Sequence, residues 1–270
     1  MPRAPLLGLA LLAPLALVAC NRGPTNKDLF TQNQALATTL KQGLDAAAKS
    51  VETAPSPEVG APCEAKGLTM DQEAGFDAEK NKQGAGNTEV VEYRGLHGDW
   101  KLLGGAPGDN EAWKLDDPAG YQLRLTTFKA NVPSAVYQLS PGGSLHQGGT
   151  APGDRAAPQL VTQIERAKGV SHLIVIRGRK KAPDGRSQIV DIHHVEFPSG
   201  KWLCAFAVES KVDPKVQEGE ILRVQRSGGM ENRSTRGDDA VGNALRAGVM
   251  AEINKALKTR FDLPGLQASL

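Results

Sequence analysis

Residues 172–210 have the fewest ways to fold. Three β-rich runs lie there, 172–177 (His-Leu-Ile-Val-Ile-Arg), 188–197 and 202–210, separated by Pro183-Asp184-Gly185 and Pro198-Ser199-Gly200. Both separators carry turn-forming chemistry. Connections this short cannot hold a crossover, so the strands must run antiparallel and the stretch predicts a β-meander. Residues 221–225 add a further strand, which takes the meander to about residue 226. Apolar residues fall on both of its faces, Ile174, Ile176 and Val195 on one and Leu173, Val175, Ile192 and Leu203 on the other. Helices or loops must therefore cover both sides.

Two amphipathic stretches supply that cover. Val241, Leu245, Val249, Ile253, Leu257 and Phe261 recur every four residues, the spacing of one helix stripe, with Asp238 or Asp239 to cap it and Pro264-Gly265 to end it. Leu29, Leu36, Leu40, Leu44, Ala47 and Val51 predict an N-terminal helix capped by Asp28 or Thr31 and ended by Pro55 and Pro57. A shorter helix is expected over 158–167, stopped by Gly169. Shorter strands are expected at 89–94 and 99–103, joined at 95–98, and at 121–128, with a brief candidate at 136–139. Residues 53–87 read as loop, with a turn of helix near 70–79. Gly142-Gly143 and Gly148-Gly149 lack the Lys and Ser/Thr spacing of a phosphate loop and read as turns. The expected fold is α+β: an antiparallel meander packed with an N-terminal and a long C-terminal helix, in one domain over residues 29–265.

Ahead of this body stands a different kind of segment. Met-Pro-Arg opens the chain, an apolar run covers residues 4–18, and Ala19-Cys20 precede the polar Asn21-Arg22-Gly23-Pro24. A cationic start, a short apolar core and small residues before a cut site make a secretory signal, too short for a membrane span of roughly 20 residues. Leu17-Val18-Ala19-Cys20 resembles the lipobox of bacterial lipoprotein precursors, a likeness confined to the first twenty residues. It implies a signal peptide over 1–19, a lipidated tether over 20–28 and a diacylglycerol on the Cys20 thiol, with the lipid bilayer as partner. Two or more acyl chains anchor durably, since each buried methylene contributes ~0.8 kcal/mol. Asn21 stands where lipoproteins retained in the inner membrane often carry Asp. By that resemblance the expected address is the outer membrane facing the periplasm, with the cell surface as the alternative. An ordinary secretory signal with a chance cysteine is the competing explanation.

Lys and Arg exceed Asp and Glu by only two, and Arg3 leaves with the signal, so charge gives no case for nucleic acid. With Cys20 acylated, Cys63 and Cys204 are left as an even pair in an oxidising compartment. A disulfide there would stabilise the fold by ~4–5 kcal/mol through loop closure. A reactive thiol at Cys204 is the competing possibility.

If Ser199-Gly200 is a two-residue turn, Val195 lies opposite Cys204 and His193 opposite Phe206. Asp191, His193 and Cys204 would then share a face, the raw material of a Cys-His-Asp nucleophile system. A one-residue slip in register would separate them. The plainer alternative is a half-buried, hydrogen-bonded Asp-His pair beside a bridged cysteine. His193 and His194 point to opposite faces of a regular strand, so the two cannot chelate one ion; His172 would need to converge with one of them, and His97 and His146 lie on expected loops far away in sequence. No spacing matches a zinc site, so neither metal nor cofactor is expected. Arg177, Arg179, Lys180, Lys181 and Arg186 cluster at one hairpin. They read either as a contact for anionic lipid or as a solvated turn that blocks edge pairing. Arg236-Gly237-Asp238 matches an adhesion tripeptide in letters only, because a helix start accounts for Asp238.

Three functions remain open. The chain is a non-enzymatic envelope lipoprotein that binds or assembles, a periplasmic hydrolase or thiol enzyme using Cys204, His193 and Asp191, or a carrier of a small apolar ligand.

Overall fold

The computed structural model describes residues 23–70, 86–97, 131–141, 143–148, 155–179, 182–216 and 240–263. The architecture is α+β. Four strands, β1 (Thr88–Glu92), β2 (His172–Gly178), β3 (Ser187–Glu196) and β4 (Trp202–Lys211), form one sheet in the order β1-β2-β3-β4. Strands β2, β3 and β4 are the antiparallel meander that the short turns dictate. The sheet as a whole is mixed, because β1 pairs with β2 in parallel. A parallel pair requires a long crossover, and the residues between β1 and β2 supply one. The strands expected at 99–103, 121–128 and 221–225 and the turn of helix near 70–79 lie wholly or largely outside the described residues.

The N-terminal stripe forms two helices, α1 (Asn26–Gln32) and α2 (Gln34–Thr53). Thr25 caps α1 rather than Asp28 or Thr31: its hydroxyl accepts from the Asp28 amide while the Asp28 carboxylate accepts from the Thr25 amide. This reciprocal capping satisfies two helix-end donors at once. Asn33 breaks the run, its side-chain amide donating to the Leu29 carbonyl at 2.8 Å. Helix α2 buries Leu40, Leu44, Ala47, Ala48 and Val51. Gly43 lets α2 lie close on the turn after β3, since a Cβ there would come within 2.6 Å of the Phe197 ring.

The strand candidate at 136–139 is instead part of helix α3 (Asn131–Gln138). Val132, Ala135, Val136 and Leu139 are all buried. Their spacing is helical, and a four-residue apolar window could not reveal it. The buried carboxylate of Glu89 on β1 accepts from the Asn131 and Val132 amides at 2.8 and 3.0 Å. It thereby satisfies the exposed donors at the start of α3. A short helix α4 (Ser144–Gln147) leads on to α5 (Pro158–Gly169) and so to β2. Helices α2, α3 and α5 cover one face of the sheet in a core that includes Leu44, Val51, Val91, Val136, Ile164, Leu173, Val175 and Val195. Helix α6 (Ala240–Phe261) covers the other, placing Val249, Ile253, Leu257 and Phe261 against Ile174, Ile176, Ile192 and Phe206.

Residues 54–70 form a strap across the α6 side of the sheet. At the β4 edge the Ala207 amide donates to the Glu58 carbonyl and the Gly60 amide donates to the Ala207 carbonyl, both at 3.1 Å. The strap then passes α6, where the Ala65 amide donates to the Arg260 carbonyl and the Arg260 guanidinium donates to the Ala61 carbonyl. At the far edge Met70 bridges Thr88 of β1, and the Thr88 amide donates to the Thr69 carbonyl at 3.0 Å. One segment therefore pairs with both edge strands, whose free backbone groups would otherwise invite other chains. The Cys63–Cys204 disulfide, with S–S 2.06 Å and a sequence separation of 141, fastens the strap in mid-course.

Replacing Cys63 with Ser should lower the unfolding free energy by about 2–5 kcal/mol, the range for loss of a native bridge that closes a long loop. Urea denaturation of the oxidised wild type and of Cys63→Ser checks this, and reduced wild type should match the variant.

Candidate functional site

The β3–β4 hairpin decides which side chains meet. Its connection is longer than a two-residue turn: the Glu196 amide donates to the Lys201 carbonyl, and Val195, not Phe197, lies opposite Trp202. Gly200 adopts φ +70 and packs so tightly on α2 that a Cβ would come within 2.5 Å of the Ala46 Cβ. An irregularity next to Val195 then skips Leu203, so His194 pairs with Cys204 and His193 with Ala205. The net slip is one residue, and in a strand one residue reverses the face. Cys204 therefore lies with His194 on the α6 side, while Asp191 and His193 lie on the opposite side. The Cys-His-Asp set expected at Cys204, His193 and Asp191 is not assembled, and the Cys204 sulphur is bonded to Cys63.

Each member of that set has another partner. Asp191 is buried, and its Oδ1 accepts from the Arg179 Nε and lies 2.8 Å from an Arg179 terminal nitrogen. The same guanidinium donates to the Pro57 carbonyl of the strap. Burial raises the Asp191 carboxyl above its usual range, while the Arg179 bond and the Arg179 and Arg177 charges pull it down. His193 is 2% exposed, and its Nδ1 accepts from the Trp202 indole at 3.4 Å. Burial, reinforced by the Arg177 and Arg179 charges, lowers its pKa to about 4. Because indole only donates, the neutral ring carries its proton on Nε2. That nitrogen is buried and has no hydrogen-bond partner among the described residues. With Nδ1 occupied and Nε2 protonated, His193 has no free lone pair with which to act as a base.

On the α6 face an imidazole pair does form, since His172 converges with His194. His194 Nε2 and His172 Nδ1 are 3.1 Å apart, and Phe261 stands edge-on to the His194 ring at 5.6 Å. Burial and the neighbouring His172 lower the His194 pKa to about 4. One ring must donate and the other accept, so a doubly protonated pair could not keep this bond. The meander pairing alone puts residue 172 opposite 196, and long side chains reach diagonally across a pair. That geometry was the available signal.

The basic hairpin is largely tied to the body. Arg179 holds Asp191, Arg177 lies over the Tyr93 ring at 4.6 Å, and Arg186 donates to the Val216 carbonyl at 3.0 Å. Lys180 and Lys181 lie outside the described residues, as does Arg236-Gly237-Asp238. His97 sits 3.6 Å from the Glu52 carboxylate, and His146 packs on Phe30 at 4.9 Å. Among the described residues no three His, Cys, Asp or Glu side chains converge as metal ligands.

Stability should fall with pH in a defined window. His193 and His194 have folded pKa values depressed below the unfolded 6.5 to about 4. The unfolded chain therefore binds protons first as pH drops. The stabilisation is complete above pH ~6.5 and is lost as pH falls toward ~4. Between pH 7 and 4.5 each imidazole should remove about 2 kcal/mol, with Asp191 offsetting part of this because its shift is upward. Urea midpoints across this range should drop for the wild type and drop less for His194→Gln.

No family model, no curated protein and no solved structure matches this chain. The chemistry of its own residues carries the functional conclusion.

Proposed function

We propose that this protein is a lipid-anchored bacterial envelope lipoprotein whose folded body is a non-enzymatic binding or assembly module. The observation that carries the proposal is the Cys63–Cys204 bridge. It uses two of the chain's three cysteines and leaves Cys20 as the one at the lipobox. Such bridges persist in oxidising compartments outside the cytoplasm. The bridge also removes the nucleophile that a thiol enzyme would need, while Arg179 and Trp202 engage the acid and the imidazole. A carrier needs space between the sheet and the long C-terminal helix, and there Phe206, Ile253, Leu257 and Phe261 pack on one another, fully or almost fully buried.

A binding role draws support from the surface. The large apolar side chains that stand exposed among the described residues are Val59, Trp202 and Leu203. All three lie on β4 or on the strap residue paired to it. The proposed location is the outer membrane facing the periplasm, with acyl chains on Cys20 as the anchor.

Growth with an alkyne-tagged fatty acid should label the wild type and leave Cys20→Ala unlabelled, and the intact mass should begin at an acylated Cys20. A mature chain that keeps residues 1–19, or carries an unmodified Cys20, would overturn the proposal.

A further inference from the structure

The chain is first bonded to the body at Pro24, four residues after the anchoring cysteine. The Pro24 carbonyl accepts from the Ala156 amide at 3.1 Å, and Thr25 bridges Arg155. Helix α1 starts at once and packs on α4 through Phe30 and His146. Gly148 lies so close to Asn26 that a Cβ there would come within 2.4 Å of the Asn26 side chain. The chain is thus fixed to the body from Pro24 onward. Four residues span at most ~14 Å even when fully extended. The polar layer on each side of a bilayer's hydrocarbon core is about 5–8 Å thick, and charges act over ~8 Å at physiological salt. A leash this short holds the Pro24–Arg155 pole within reach of the headgroups.

We propose that this pole, the start of α1 together with Arg155, is a membrane-contact face that engages anionic phospholipid headgroups through Lys27 and Arg155. The inference rests on acylation of Cys20. Both side chains are exposed, and neither forms an ion pair or side-chain hydrogen bond with another described residue. Other described lysines, Lys258 among them, are likewise without an ion pair, so it is the short leash from Cys20 that sets Lys27 and Arg155 apart. A cation near such a surface gains ~1 kcal/mol. The acid at the pole, Asp28, is exposed and accepts from the Thr25 hydroxyl and amide, and that bonding lowers its pKa. Its charge opposes the attraction and is outnumbered by Lys27 and Arg155.

The test uses the acylated full-length protein in phosphatidylcholine vesicles with and without phosphatidylglycerol. A water-soluble amine reagent labels exposed lysines, and peptide mass spectrometry compares Lys27 with Lys258, which is exposed on the helix covering the opposite sheet face. On anionic vesicles Lys27 labelling should fall about fivefold relative to Lys258, the Boltzmann factor for ~1 kcal/mol. The fall should be smaller on neutral vesicles and absent in detergent. A long flexible Gly/Ser insertion between Gly23 and Pro24 should weaken the protection, which burial against the body itself would not do. An unchanged Lys27 to Lys258 ratio on a chain whose mass shows acylated Cys20 overturns the membrane face while leaving the anchor standing. Equal protection on neutral and anionic vesicles overturns the headgroup recognition. An unacylated mass overturns the anchor, and the inference with it.

Discussion

The Cys63–Cys204 bridge is the constraint on which most of the molecule depends. Residues 54–70 contain no helix and, apart from single-residue bridges, no strand, and their apolar content is too small to hold them on the body by burial alone. They nevertheless pair with both edges of the sheet, at Ala207 on β4 and at Thr88 on β1. Backbone pairing of one or two residues is weak in water, because each hydrogen bond contributes only ~1 kcal/mol net. A covalent link in mid-strap shortens the loop that each of those isolated pairings must close, which lowers its entropic cost. It is also compatible with only one facing of β4. Cys204 must face the strap and α6, which places His194 beside it and sends His193 and Asp191 to the other side.

The meander was legible because turn chemistry and β-rich runs coincide between residues 172 and 210. The buried stripe from Val241 to Phe261 was legible because six apolar residues repeat at the same interval. The parallel placement of β1 was not, since five residues of sequence carry no information about a partner eighty residues away. Helix α3 was hidden inside a window too short to show its period. The face assignment of Cys204 failed for a local reason. The skipped residue at Leu203 and the longer turn depend on how Gly200 and Phe197 pack on α2, and that packing is tertiary. The histidine pair across β2 and β3 was legible only as a condition, that His172 converge with His193 or His194, because the diagonal reach that selects His194 depends on the register of β2 on β3.

Three buried polar arrangements go with this register, and in the second the His193 Nε2 stays without a hydrogen-bond partner among the described residues. Arg179 joins Asp191 to the strap, Trp202 orients His193, and His172 joins His194 under Phe261. Such arrangements specify one packing of a sheet more than they add stability, because the desolvation of each group offsets much of what its bond returns. Among the described residues they leave Cys204 bonded to Cys63, Asp191 bonded to Arg179 and His193 bonded to Trp202, so these three do not form one catalytic set. Among the described residues the surface carries an apolar edge along β4, with Val59, Trp202 and Leu203, and exposed cations at Lys27 and Arg155 beside the start of α1.

The most direct measurement is a peptide map of the protein taken from cell envelopes, alkylated at once and digested without reductant. The expected result is one linked species joining the peptides that contain Cys63 and Cys204, which separates only when reductant is added. Alkylated Cys63 and Cys204 in the unreduced digest would contradict the account, and with it the strap and the compartment would lose their physical basis.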